Sequence, residues 1–362
     1  MSICERRIDM TDIELIEKLC NARGASGFED EVLVIAREYL KDIADFKEDS
    51  MRNLYIYPKY NKGDRPQIML DAHSDEVGFM VQAIKPDGTL RFIPIGGWNE
   101  KSLPSAKVQV FTSSGYISGV IAAMSPHLMT AEQRNAPVSY DNLVIDIGAT
   151  SADEAISFGV EIGAPVVPLS PFEYDNKHGV MHGKAFDDRL GVGAMLMTVK
   201  ALENAKTDMD IIGVISSQEE VGERGITAVM HNVRPSAVIC FEGCPADDTS
   251  APSYMVQDAL RGGVMLRYMD RTVICTPRFT SFARDTARKK NIKVQMAVRS
   301  GGGNNGAYII SSNGGTPVIV AGIPVRYIHT FNCIAALEDV EACVRFGTEL
   351  CRELKKEIIE GF

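Results

Sequence analysis

Apolar positions recur with helical spacing at Ile13, Ile16 and Leu19, behind a capping-box spacing from Thr11 to Glu14, and Gly24 follows as a stop signal. A second amphipathic helix is expected from about Glu29 to Leu40. Two short runs rich in branched and aromatic residues, "NLYIY" and "QIMLDAH", then read as strands. Beyond residue 76 the texture changes. Two strand-like halves flank a Pro-Asp-Gly turn in "EVGFMVQAIKPDGTLRFIPIGG", and "KVQVFTSSGYISGVIAA" repeats the pattern around Ser-Gly. No long helix is expected before about Ala152.

Beyond about residue 170 helix and strand alternate. "GVGAMLMTVKAL", "ITAVMHNV", "RFTSFARDTARKKN" and "NNGAYIISS" read as helices, and a last helix starts near Ala336. "DIIGVIS", "AVICFEG", "KVQMAV" and "TPVIVAG" read as the strands between them. Such alternation predicts an α/β fold, a largely parallel sheet with helices on both faces. An all-β unit at residues 77–170 is then an insertion that splits the α/β domain into 1–76 and 171–362.

Composition narrows the function. Among 362 residues, 45% are hydrophobic and 24% charged, as in ordinary globular chains. A net charge of −10 argues against nucleic-acid binding, because an acidic surface repels phosphates. The opening "MSICERRIDMTDIELIEKL" lacks the apolar core of a signal peptide, and no apolar run reaches the roughly 18 residues of a membrane helix. The eight cysteines follow no disulfide or zinc-finger spacing, so reduced thiols and a cytoplasmic setting are expected. Cys240 and Cys244 read as small buried thiols.

Candidate chemistry gathers where strands end. In open α/β sheets ligands bind outside the carboxyl ends of the strands. "MLDAHSDE" brings His73 and Asp75 to that edge, "GKAFDDRLG" brings Asp187 and Asp188, "AVICFEG" brings Glu242, and "PVRYIHT" brings His329. "SSQEEVGERG" adds Glu219 and Glu220 directly after the apolar run Ile211 to Ile215. Singly, each has a bland reading: a surface histidine, an N-cap aspartate, a solvated Glu-Glu pair. Together they are imidazole and carboxylate groups at one edge, the ligands that zinc, cobalt and manganese accept. In an extended strand end the adjacent glutamates would diverge, one toward a metal and one toward water.

These motifs resemble the di-metal aminopeptidases that include glutamyl and tetrahedral aminopeptidases, some also labelled cellulase M or endoglucanase. The resemblance runs from about residue 12 to 355 through "DAHSDEVGFMV", "RFIPIGGW", "PHL", "IDIGATSADEA", "KAFDDRLGVG", "SSQEEVGERG", "FEG" and "GIPVRYIH". It implies two divalent ions per subunit, zinc or cobalt, with manganese an alternative. His73 and Glu242 would hold one, Glu220 and His329 the other, and Asp187 would bridge them. Asp75 would hold the His73 ring and Glu219 would act as general base on a peptide substrate. The β insertion would mediate dimerisation, with assembly up to a dodecamer.

Two segments depart from the family pattern. "GGGNNGA" carries Asn304 where relatives place Asp, and "TFNC" follows His329. A di-metal deacylase, a metal-free glycosidase and a non-catalytic member of the fold are the competing readings. His127, His178, His182 and His231 lack an evident carboxylate partner in the sequence. Trp98 and Met80 read as core, and "RDTARKKN" as a solvated helix end.

Overall fold

The computed structural model describes residues 10–362, with side chains from Asp12 onward. The capping side chain expected at Thr11, and Cys4, lie outside the described residues. Three strands precede the insertion: β1 (Ala44–Glu48), β2 (Leu54–Pro58) and β3 (Gln67–His73). Six follow: β4 (Gly78–Ile84), β5 (Leu90–Ile95), β6 (Lys107–Thr112), β7 (Gly115–Ile121), β8 (Ile145–Asp146) and β9 (Pro165–Pro168). After β10 (Glu173–Asp175) and β11 (Val180–Gly183) come β12 (Asp210–Ser216), β13 (Ala237–Pro245), β14 (Val264–Met269), β15 (Val294–Val298), β16 (Val318–Val325) and β17 (Cys333–Ala336).

Eight of these strands form one mixed sheet in the order β1-β2-β12-β3-β13-β16-β14-β15. Its centre is parallel: β3 lies between β12 and β13, and β13 also pairs with β16. Antiparallel pairings join β2 to β12 and β14 to β16. The fold is therefore α/β with a parallel-rich sheet, as the alternation predicts.

Side-chain alternation divides the core into two layers. Ile68, Leu70 and Ala72 face one layer and Met69 the other; Ile211 and Ile215 oppose Ile212 and Val214 in the same way. The first layer is covered by the helices Asp30–Leu40, Phe186–Leu202, Pro277–Lys289 and Leu337–Glu353, which place buried residues in it. Arg224–Asn232 and Gly306–Ser311 cover the second. Each fully buried Leu or Ile contributes roughly 1.5–3 kcal/mol, so these layers anchor the strand ends firmly.

Strands β4 to β9 close into a barrel with its own core, including Phe79, Phe92, Val108 and Val166. Trp98 stacks on Phe79 at 4.8 Å and donates its indole N–H to Gly78 O, so it packs on the barrel as expected. Three features escaped the sequence pattern: the edge strand β1, the strand β14, and the small sheet β10-β11-β17. The seven described cysteines are buried and free. Among the described residues no helix is long and apolar enough to cross a membrane.

Candidate metal centre and active site

The parallel register brings His73, the last residue of β3, opposite Ser216, the last of β12. Beyond them Ser74 N–H donates to Ser216 O at 2.8 Å, so the two chains leave the sheet side by side. His73 is almost fully buried. Its Nε2 lies 3.1 Å from Asp187 Oδ1, 3.4 Å from Glu242 Oε1 and 4.0 Å from Glu219 Oε2. Across the same aspartate, His329 Nε2 lies 3.1 Å from Asp187 Oδ2 and 3.5 Å from Glu220 Oε1. Two three-residue groups with metal-ligand spacing result, His73–Asp187–Glu242 and Asp187–Glu220–His329, and Asp187 is common to both.

Both imidazoles are held from behind. His329 Nδ1 sits 2.8 Å from Gly97 O. A carbonyl only accepts, so that nitrogen carries a proton, and Nε2 is the atom that could serve a metal beside Asp187 and Glu220. His73 Nδ1 lies 3.3 Å from Asp75 Oδ1, close enough to favour the same tautomer although the two are not aligned as a hydrogen bond. Gly96 explains the paired glycines of "GGW": its φ is +77°, and a Cβ there would meet Val77 at 2.7 Å and Glu220 Oε2 at 3.2 Å.

The two glutamates are not on an extended strand, contrary to the expectation. Strand β12 ends at Ser216, and Gln218 turns the chain with φ +53°. Glu219 then opens a hydrogen-bonded turn, its carbonyl accepting from the N–H groups of Gly222 and Glu223, both at 2.9 Å. Asp75 fixes this turn: Oδ1 accepts Glu219 N–H at 2.9 Å, and Oδ2 accepts Glu220 N–H at 3.1 Å. Ser26 donates to Oδ2 as well, at 2.6 Å. His329 likewise stands in a turn beyond β16, with φ +56°, and not on the strand itself.

Charge is concentrated here without cations to match it. Burial, together with Glu242, Glu220 and Asp187, pushes the Glu219 acid well above the ordinary range, although His73 opposes the shift. Burial pushes Glu220 and Glu242 up to about 8. Burial would depress both histidines, yet the carboxylates around them raise His73 well above its usual value and His329 to about 10. Burial would raise Asp187, but its bonds to His329 and His73 hold it below the normal range. The three glutamates and both imidazoles favour protons, the mark of a pocket deficient in positive charge. Glu220 Oε1 is also buried without a hydrogen bond. The donor set therefore fits two divalent cations.

The sequence brought Asp188 to this edge without assigning it a role, and the other supporting residues were missed. Asp188 Oδ2 accepts the backbone N–H of His73 at 3.1 Å. Asp71 Oδ2 and Ser216 Oγ both receive Asn305 Nδ2–H, at 2.7 and 2.8 Å. Glu76, next to Asp75, is fully buried and binds Lys184 Nζ at 2.6 and 2.8 Å. Asp71 and His73 share a strand face by two-residue alternation, a signal legible in "DAH". His178, thought to lack a carboxylate partner, has one: Asp175 Oδ2 is 2.5 Å from its Nδ1, at an exposed position outside both ligand groups.

The glycine run lies beside this centre. Gly301 to Gly303 line a cavity of about 630 Å³ together with Glu219 and His329. Asn304 is buried behind it and donates to Asp270 Oδ2 at 2.7 Å; Asp270 also pairs with Arg267 at 3.0 Å. Among the described residues the side-chain hydrogen bonds of Asn304 go to Asp270 and Gly306, not to a candidate ligand.

Comparison with known proteins supplies the family. The pattern of the M42 glutamyl aminopeptidase family matches residues 53–346. The chain belongs to that family. A lysyl aminopeptidase of Pyrococcus furiosus is 30% identical over 350 residues, 96% of this chain and 98% of the relative. Among solved structures, a TET aminopeptidase from a marine sediment archaeon of the Thaumarchaeota superposes with a TM-score of 0.93 at 34% identity, covering 98% of this chain and 99% of the other. The TET1 peptidase of Pyrococcus horikoshii, described as able to assemble into a tetrahedron or a large octahedral shell, gives a TM-score of 0.85 at 28% identity, covering 95% of this chain and all of the other. As an M42 member, this chain is an aminopeptidase, a hydrolase that depends on metal.

Proposed function

We propose that the protein removes N-terminal residues from short peptides with two divalent ions per subunit, zinc or cobalt, and manganese as an alternative. His73, Asp187 and Glu242 would hold one ion, and Asp187, Glu220 and His329 the other. The observation that carries this reading is the position of Asp187, whose two carboxylate oxygens face different histidines at 3.1 Å each. Bound there, such ions polarise a carbonyl and lower the pKa of water to around 7. Two divalent charges against three ligand carboxylates leave about +1, which suits an anionic nucleophile.

Glu219 belongs to neither ligand group, yet it lines the same cavity. It is assigned as the general base, taking a proton from the attacking water and delivering it to the departing amine. Asp75 sets its position through the backbone and orients His73. The cavity beside the base admits the first residue of a peptide, and the acidic surroundings suit its free α-ammonium.

The β barrel, within residues 77–170, is assigned to dimerisation, with 1–76 and 171–362 forming the catalytic part. Further assembly up to a dodecamer is supported by the TET1 relative's shells. The reduced cysteines are consistent with the cytoplasm. Light scattering measures the assembly, and metal replacement identifies the preferred ion. The test of the activity compares a peptide with its N-acetylated twin. Faster hydrolysis of the free peptide is expected; faster cleavage of the blocked form would make the protein a deacylase instead.

A further inference from the structure

Three further charged side chains line the cavity: Glu223, Arg267 and Arg299. The two arginines are already matched. Arg267 Nη1 contacts Asp270 Oδ2 at 3.0 Å, and Arg299 Nη1 contacts Asp247 Oδ2 at 2.6 Å. Among the described residues no ion pair reaches Glu223. With two pairs cancelled, the wall outside the metal-ligand cluster keeps one uncompensated negative charge. Burial and the Asp270 carboxylate push the Glu223 acid upward, as expected for an anion short of a cation.

Its placement is fixed by the backbone that carries the base. Glu223 N–H donates to Glu219 O at 2.9 Å, closing the turn between them. The residue adopts φ +47°, a left-handed conformation that favours glycine and, less often, asparagine or aspartate, so a glutamate here is held by the fold at some cost. Its carboxylate lies against the glycine run: a Cβ on Gly303 would stand 3.0 Å from Glu223 Oε1. Bare backbone from Gly301 to Gly303 thus leaves this acid uncovered on the cavity side.

We propose that Glu223 recognises the cationic side chain of an N-terminal lysine or arginine, making this a selective enzyme for basic first residues. The assignment rests on the aminopeptidase reading above. An acidic first residue would meet an unpaired carboxylate and two arginines already engaged, whereas a lysine or arginine supplies the missing charge. A charge-assisted contact in a half-buried site changes selectivity by about 10- to 100-fold.

The test has two arms. First, kcat/KM is measured on Lys-, Arg-, Leu- and Glu-4-nitroanilides for the metal-loaded wild type, E223Q and E223K. The Lys-to-Leu ratio should exceed unity in the wild type, fall about 10- to 100-fold in E223Q, and give way to a preference for Glu in E223K. A wild-type preference for Glu, an unchanged ratio in E223Q, or equal losses on all substrates would overturn the assignment. Second, binding of free L-lysine and L-norleucine to the wild-type protein is compared by calorimetry. The two share an α-amino acid and differ chiefly in the terminal ammonium, so lysine should bind more tightly; equal affinity would overturn the proposal without any variant having to fold. Wild type that cleaves none of the anilides but prefers lysine over norleucine would defeat the aminopeptidase reading while sparing Glu223.

Discussion

Asp75 accepts the backbone N–H of Glu219 at 2.9 Å, through the same Oδ1 that faces His73 Nδ1 at 3.3 Å. One buried carboxylate therefore sets both an imidazole and the turn bearing the proposed base. Substituting asparagine would place an NH2 group against one of the N–H or hydroxyl donors that Asp75 now receives. Asp75→Asn should weaken metal affinity or kcat by about 10- to 100-fold. Titration with zinc and steady-state kinetics measure both; wild-type values for each would remove Asp75 from the mechanism.

Glu219→Gln keeps the size of the side chain and removes its basicity. Loss of a general base costs about 10²–10⁴-fold in kcat. Because Glu219 lies outside both ligand groups, metal content should stay at the wild-type level. Retained turnover would show that another group moves the proton.

Glu76 joins Lys184 in a fully buried pair one residue from Asp75 and three from Asp187. Arg189 Nη2 also approaches it, at 3.4 Å. Glu76→Gln leaves the buried ammonium without its counter-charge, a change that typically costs about 3–5 kcal/mol. Thermal unfolding of the metal-loaded protein should show a clear loss of stability. A Tm within experimental error of wild type would mean that the Lys184 charge is neutralised another way.

Asn304 donates to Asp270, so Asn304→Asp sets two carboxylates against each other in a buried place. The loss of stability should be about 1–3 kcal/mol at neutral pH. The repulsion raises the folded pKa of the pair above its unfolded value. The folded state then holds the extra proton, and the loss is smaller in acid and grows as pH rises. Denaturant unfolding at both ends of that range gives the sign, and an equal loss at each would contradict it.

Much of this architecture was legible because its signals are local. Short runs rich in apolar and branched residues marked β3 and β12, and the helix "GVGAMLMTVKAL" announced itself by its apolar run. All seven candidate side chains gather around one centre, since the parallel strands open toward one edge and the segments that leave them there carry most of these residues. The details that escaped are those set by distant partners. The turn holding Glu219 and Glu220 depends on a carboxylate 144 positions away in the chain, so a strand-end reading placed them wrongly. The carbonyl of Gly97 that fixes His329 belongs to a segment 232 positions away. Buried charges such as Lys184 and Asp188 carry no periodic signature at all. Strand β1, "ADFKE", is polar on alternate positions and lies at a sheet edge, where apolar patterning is weak.

If Asp187 serves two cation sites at once, each subunit takes up two ions, and metal stoichiometry reads that number. Elemental analysis after dialysis against zinc or cobalt should find two ions per subunit in the wild type and fewer in His329→Ala, which removes a ligand from one group only. A single ion per subunit in the wild type, or an unchanged count in His329→Ala, would contradict the shared centre.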